Sequence, residues 1–327
     1  LCNGICALRP DEDKLAFSVV FKITPKADVL NSEIVRTVIR SNRRFTYEEA
    51  QEVIETGKGD YADEVLSLDR LAKILRKRRY ENGSVDFDRL EVRFDIDEKG
   101  RPTNVYFKES KDANKLIEEF MLLANRTVAT AIGKPEKRRK GKAFVYRVHD
   151  QPDATKLSEL ATICRTFGYK IKTNGSPNEI NRSINKMLRD VKGMGEENYL
   201  SVLAIRSMAK AIYTTENIGH YGLGFDYYTH FTSPIRRYPD MMVHRLLDRY
   251  LAGGRSVNVE KLEDLCKHSS AQEQLAANAE RSSIKYKQVE YMRDHLGEEY
   301  DGMISGVTEW GLYVAVSYTH LTLPTNS

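Results

Sequence analysis

No stretch of this sequence is apolar for long enough to span a membrane as a helix, and no charged-then-apolar leader opens it. The first residue is Leu1, so the native start is expected to be missing, and the beginning carries no information on targeting. Cysteine is scarce. Of four in 327 residues, Cys2 and Cys6 lie four apart, while Cys164 and Cys266 stand alone. No second pair completes a zinc pattern, and reduced thiols of a cytoplasmic protein are the expectation. Charge of one sign is also lacking: the net charge of +4 permits a polyanionic partner without demanding one. With 41% hydrophobic and 30% charged residues, the chain reads as one large globular domain, or a large domain with a small one.

What is present reads as alternating strands and helices. Residues 16–24 (AFSVVFKIT) and 33–46 are rich in Val, Ile, Phe and Thr and predict strands. Residues 48–80 predict a helix with an apolar stripe of Leu66, Leu68, Leu71 and Leu75. Residues 85–109 predict a β-hairpin turning at Glu98, Lys99 and Gly100, followed by an amphipathic helix over 112–132. A basic loop (KPEKRRKGK) occupies 134–142, a strand 144–153, and helices alternate from 154 to 214. After a Gly- and aromatic-rich connection at 217–232, Ser233 is expected to cap a helix with Pro234 at its first position and a kink at Pro239. On that helix Arg236, Asp240 and His244 would share a face. Residues 258–295 predict a charged helix, and 301–316 the first strands of a small barrel. The last stretch, 317–327 (SYTHLTLPTNS), reads as a non-native tail appended by a truncated reading frame.

Seven segments carry a resemblance. They are NGICALRPDEDKLAFSV (3–19), SNRRFTYEEA (41–50), GSVDFD (83–88), KLIEEFMLLAN (115–125), YRVHDQPD (146–153), IGHYGLGFDYYTHFTSPIRRYPDMMVHRLL (218–247) and AERSS (279–283). Together and in this order they resemble the ribonuclease II/R exoribonucleases, in the bacterial ribonuclease R style. The resemblance implies an α+β catalytic domain of mixed sheets and helices around an RNA channel, over about residues 1–295. It implies the truncated start of an OB-fold RNA-binding barrel at 296–316. The implied activity is metal-dependent hydrolysis of single-stranded RNA from the 3′ end, releasing nucleoside 5′-monophosphates. The enzyme would be a cytoplasmic monomer.

The same resemblance implies a role for individual residues. Hydrolysis would use magnesium ions, whose aspartate ligands the family carries upstream of the position matching Leu1, so no metal ligand is expected in this chain. Asp11, Glu12 and Asp13 beside Pro10 read instead as a solvated turn, and Asp95 and Asp97 as the solvent face of a strand. Arg236 matches the arginine that contacts phosphates at the scissile bond, with Arg237 a further backbone contact. Read without the resemblance, Arg236 is a helix-start arginine paired with Asp240. Phe87 matches the base-stacking aromatic, although strand core explains it as well. Tyr47 and Glu118 match residues that orient the last nucleotide, where a carboxylate accepts from a ribose 2′-hydroxyl. Glu280 matches a glutamate near the active site and equally fits a solvated charge, while Glu119 faces away from Glu118 and reads as structural. The rival reading is an RNA-binding protein built on a degenerate nuclease domain.

Overall fold

The computed structural model describes residues 4–85, 91–134, 141–300, 302–308, 311–316 and 322–325. Phe87 and the basic run at 137–140 lie outside the described residues. The chain opens with an antiparallel ribbon of β1 (Asp13–Ile23) and β2 (Val29–Arg40). β2 stops at Arg40, six residues before its expected end at 46, because the backbone turns away at Ser41 towards the cap of the next helix.

The single helix expected over 48–80 is two helices, α1 (Tyr47–Thr56) and α2 (Ala62–Glu81). Thr46 caps α1 through a reciprocal pair with Glu49, donor and acceptor exchanging at both residues. Gly57, at φ 69°, ends the helix in the left-handed conformation that a side chain disfavours, with its N–H bonded to Val53 O at 2.9 Å. The leucine stripe of Leu66, Leu68, Leu71 and Leu75 lies wholly within α2, so it carries no mark of the break before it.

β3 (Glu91–Ile96) and β4 (Pro102–Lys108) form the expected hairpin, and α3 (Asp112–Gly133) follows. α3 buries Leu116, Leu122, Val128 and Ala129 on one side and packs against α1 and α2. The strand expected over 144–153 narrows to β5 (Tyr146–Val148), which pairs with β6 (Ile212–Thr214). Between them α4 (Ala154–Thr166), α5 (Pro177–Asp190) and α6 (Glu197–Ser207) enclose a core of Leu160, Ile184, Met187 and Leu200.

α7 (Tyr238–Leu251) and α8 (Val259–Arg293) complete the other core, where Phe144, Val148, Val243, Leu247 and Cys266 meet Phe17, Val19 and Ile34 of the ribbon. Ser233 does not cap α7. The backbone N–H groups of Arg236 and Arg237 turn back to Ser233 O, and Arg237 is the helix N-cap. Pro239, expected to kink the helix, occupies its first turn, where the missing N–H costs no hydrogen bond. Arg236 therefore precedes the helix and shares no helical face with Asp240 and His244. β7 (Gly302–Thr308), β8 (Gly311–Val316) and β9 (Thr322–Thr325) form a three-stranded sheet, whose last strand falls in the segment read as a non-native tail. Among the described residues no helix is long and apolar enough to cross a membrane.

Candidate functional site

One face of α3, running from exposed to buried, carries Asn114, Ile117, Glu118, Met121, Leu122 and Asn125 at the three-and-four spacing of a helical stripe. This stripe is one wall of a cleft of about 210 Å³. Tyr47 from the first turn of α1, Tyr228 from the aromatic connection and Arg237 from the start of α7 close the cleft. Three of the six candidate residues, Tyr47, Glu118 and Arg237, thus converge from segments far apart in the chain.

Tyr47 and Glu118 keep about half of their surface free, at 45% and 55% exposure. Arg237 is held from behind. Its Nε donates to Asp240 Oδ2 and its Nη2 to Asp240 Oδ1, both at 2.8 Å. Asn125 is spoken for at the floor of the cleft: Oδ1 accepts from Phe231 N at 2.9 Å, and Nδ2 donates to the Tyr228 hydroxyl at 3.2 Å. Burial raises the Tyr228 hydroxyl above the ordinary phenol range, so it stays protonated.

A buried brace stands behind Glu118. Arg79 Nη2 lies 2.5 Å from the neighbouring Glu119 and 3.9 Å from Glu118. Arg79 Nη1 donates to Ser84 Oγ at 2.7 Å, and Ser84 Oγ donates to Gly222 O at 3.0 Å. Asn181 and Asn185 of α5 donate to Gly83 O and Ser84 O. Glu119 is structural, as its position on the helix implies. Gly224 takes φ 64° beside this brace, and a Cβ there would sit 2.9 Å from Asn82 O, so only glycine lets the two loops approach.

Behind the cleft the rings of His220 and His230 each pack edge-on against Tyr228, and His149 packs against His220. His149 donates from Nε2 to Ala209 O while Nδ1 accepts from Gly222 N, which fixes a neutral tautomer. Burial lowers all three imidazoles. His220 falls to about 3, with His149 and Arg147 adding repulsion, and His230 to about 2, with Arg237 and Arg147 adding. These rings are wall material, not proton carriers at neutral pH.

Arg236 is exposed on the turn before α7 and does not line the cleft. The arginine paired with Asp240 is Arg237, one residue on from the pairing expected for Arg236. Glu280 is exposed on α8 and is likewise not a cleft residue. Asn125 is a site residue that sequence reasoning misses, although a polar Asn closing the apolar run FMLLA is a signal for it; Tyr228 reads from the sequence as channel wall or core alike, and Asp240 only as a partner for Arg236.

Among the described residues no three His, Cys, Asp or Glu side chains converge as a metal site. Magnesium needs several oxygens around one point, and the carboxylates among the described residues do not gather them. What the cleft offers is one pinned guanidinium for an anion, one carboxylate for hydroxyl donors, and a tyrosine ring for an apolar face.

A family model described as RNB domain matches residues 1–253. Ribonuclease R of Aquifex aeolicus is 40% identical over 325 residues, covering 96% of this chain and 45% of the relative. The chain thus spans under half the length of that curated relative. Among solved structures, Mycoplasma genitalium RNase R in complex with ribose methylated single-stranded RNA superposes with a TM-score of 0.88 at 23% identity, over 98% of this chain and 51% of that one. Yeast Ssd1, a pseudonuclease, superposes with a TM-score of 0.73 at 21% identity, over 94% of this chain and 38% of that one. At these identities the structures speak for a shared fold, the α+β architecture expected from the sequence.

Proposed function

The chain belongs to the RNB domain family, and from that premise we propose that it forms the RNA-holding part of a ribonuclease that degrades single-stranded RNA from its 3′ end. The observation that carries this reading is the convergence of Tyr47, Glu118 and Arg237 on one cleft. Each supplies what a terminal nucleotide requires. A guanidinium takes phosphate oxygens as charge-assisted acceptors. A carboxylate accepts from a ribose hydroxyl, the group that separates RNA from DNA. An aromatic ring stacks on any base, which suits an enzyme indifferent to sequence.

Arg236, exposed on the turn beside the cleft, is proposed to contact the scissile phosphate, and Phe87 to stack on a base nearby. Glu280 is proposed to act at the same end of the channel. Magnesium would supply the activated water for hydrolysis to nucleoside 5′-monophosphates, with its ligands coming from residues outside this chain. Residues 296–316 are proposed to begin a second RNA-binding unit, an OB-fold barrel.

The test uses the protein expressed with its flanking coding sequence. It is given 3′-extended single-stranded RNA and magnesium, beside an EDTA control and an Arg236→Ala variant. Stepwise release of mononucleotides, abolished by EDTA and slowed about a hundredfold or more in the variant, is expected. Tight RNA binding without cleavage at any magnesium level would instead identify an RNA-binding protein on a degenerate nuclease domain; yeast Ssd1, which shares the fold, is a pseudonuclease.

A further inference from the structure

We infer that Asp240 is a positioning residue for the cleft, acting through Arg237 and through the turn that carries Arg236. The inference rests on the RNA reading above and goes beyond it by naming what sets the arginines in place. Asp240 is fully buried at 0% exposure, on the first turn of α7. A carboxylate in such a place persists only when its oxygens are satisfied, and here the donors are the cleft residue Arg237 and the turn that carries Arg236.

Oδ1 accepts from Ser233 N at 2.7 Å and from Arg237 Nη2 at 2.8 Å, while Oδ2 accepts from Arg237 Nε at 2.8 Å. The fork uses the Nε edge of the guanidinium and leaves Nη1 outside it, on a side chain that lines the cleft. The bond to Ser233 N fixes the other end of the turn. Ser233 O in turn receives the N–H groups of Arg236 at 3.3 Å and Arg237 at 3.1 Å. One buried carboxylate therefore sets the direction of the cleft arginine and the backbone of the exposed one.

The alternative role for Asp240 is simple charge balance, and the two roles predict opposite signs. A buried negative charge beside an anion-binding arginine weakens anion binding by plain electrostatics. Removing it would then tighten RNA. If Asp240 works by holding Arg237, removing its charge loosens the guanidinium and weakens RNA although the protein has become more positive.

The experiment measures binding of a fluorescein-labelled single-stranded oligoribonucleotide by anisotropy across a salt series, without magnesium. The chain is compared with Asp240→Asn, Arg237→Lys and Arg237→Ala, and folding is verified by circular dichroism. All three variants are expected to bind about tenfold or more weakly. In Asp240→Asn the slope of log affinity against log salt is expected to fall by about 0.7, since one phosphate is no longer neutralised although the arginine is still present. A general loss of folded protein would leave that slope unchanged. An unchanged or tighter Kd, or an unchanged slope, in Asp240→Asn overturns the inference. Should that variant not fold, Arg237→Lys decides: it keeps the charge but cannot make the two-point fork, so wild-type affinity there overturns the inference too. No effect of Arg237→Ala on affinity or slope would instead sink the RNA reading of the cleft itself.

Discussion

At the scale of single residues, the chemistry of the site is set by what burial does to charge. His220 and His230 sit behind Tyr228 with folded values of about 3 and about 2, below the ordinary imidazole. The folded state therefore excludes protons that the unfolded chain accepts. Stability is fully present above the unfolded value near ~6.5 and is lost as pH falls below it, by up to ~1.4 kcal/mol per pH unit for each histidine. Urea unfolding at a series of pH values between 7 and 4, an interval of about three units, is expected to show this slope before most carboxylates titrate. His230→Gln keeps a hydrogen-bond acceptor for the Tyr213 hydroxyl, which lies 2.8 Å from the His230 ring nitrogen. It should remove about one proton from the slope. An identical slope in the variant would show that His230 is already charged in the fold.

At the scale of elements, the cleft depends on helix termini and on the brace between α2 and α3. Tyr47 is the first residue of α1, immediately after the Thr46 cap. Thr46→Ala is expected to cost about 1 kcal/mol, by releasing the first turn. Because that turn carries a cleft residue, RNA affinity should fall together with stability, measured by anisotropy and thermal melting. The Arg79–Glu119 pair is a stronger joint, with exposures of 7% and 4%. Glu119→Gln takes the close counter-charge from a buried guanidinium and leaves it Ser84 and the more distant Glu118, which is expected to cost about 3 kcal/mol in denaturant unfolding. A loss below ~1 kcal/mol would mean that water reaches Arg79. These elements also show what was legible in advance. The long apolar periods of α3 and α8 place both helices within a few residues, since a stripe that must be buried leaves a repeating record. The entry to α7 was not legible. Ser233 followed by Pro234 satisfies every local rule for a helix start, yet the buried Asp240 captures Ser233 N and moves the start to Tyr238. That bond depends on Asp240 lying in the core, a tertiary fact that no local pattern contains. The same displacement gives the pairing with Asp240, expected for Arg236, to Arg237.

At the scale of the whole molecule, the described side chains line a cleft of about 210 Å³ but assemble no cluster of metal ligands. The sequence segments legible as a family pattern are enough to name the fold, and three of them bring Tyr47, Glu118 and Arg237 to one cleft. If the magnesium ligands lie outside this chain, the chain and its metal are thermodynamically uncoupled. A ligand that binds only the folded state stabilises it by about 2.7 kcal/mol at a hundred times its Kd, and a ligand without a site does nothing. Magnesium and EDTA are therefore expected to leave the melting temperature of this chain unchanged. In the protein expressed with its flanking sequence, magnesium should raise the melting temperature by a few degrees. Single-stranded RNA should raise it in both, since the cleft is present in both. A magnesium-dependent rise in this chain alone would place a metal site within it. Asp86 and Asp88, beside Phe87, would then be the first carboxylates to replace, and the division of labour proposed between this chain and its flanking sequence would fall.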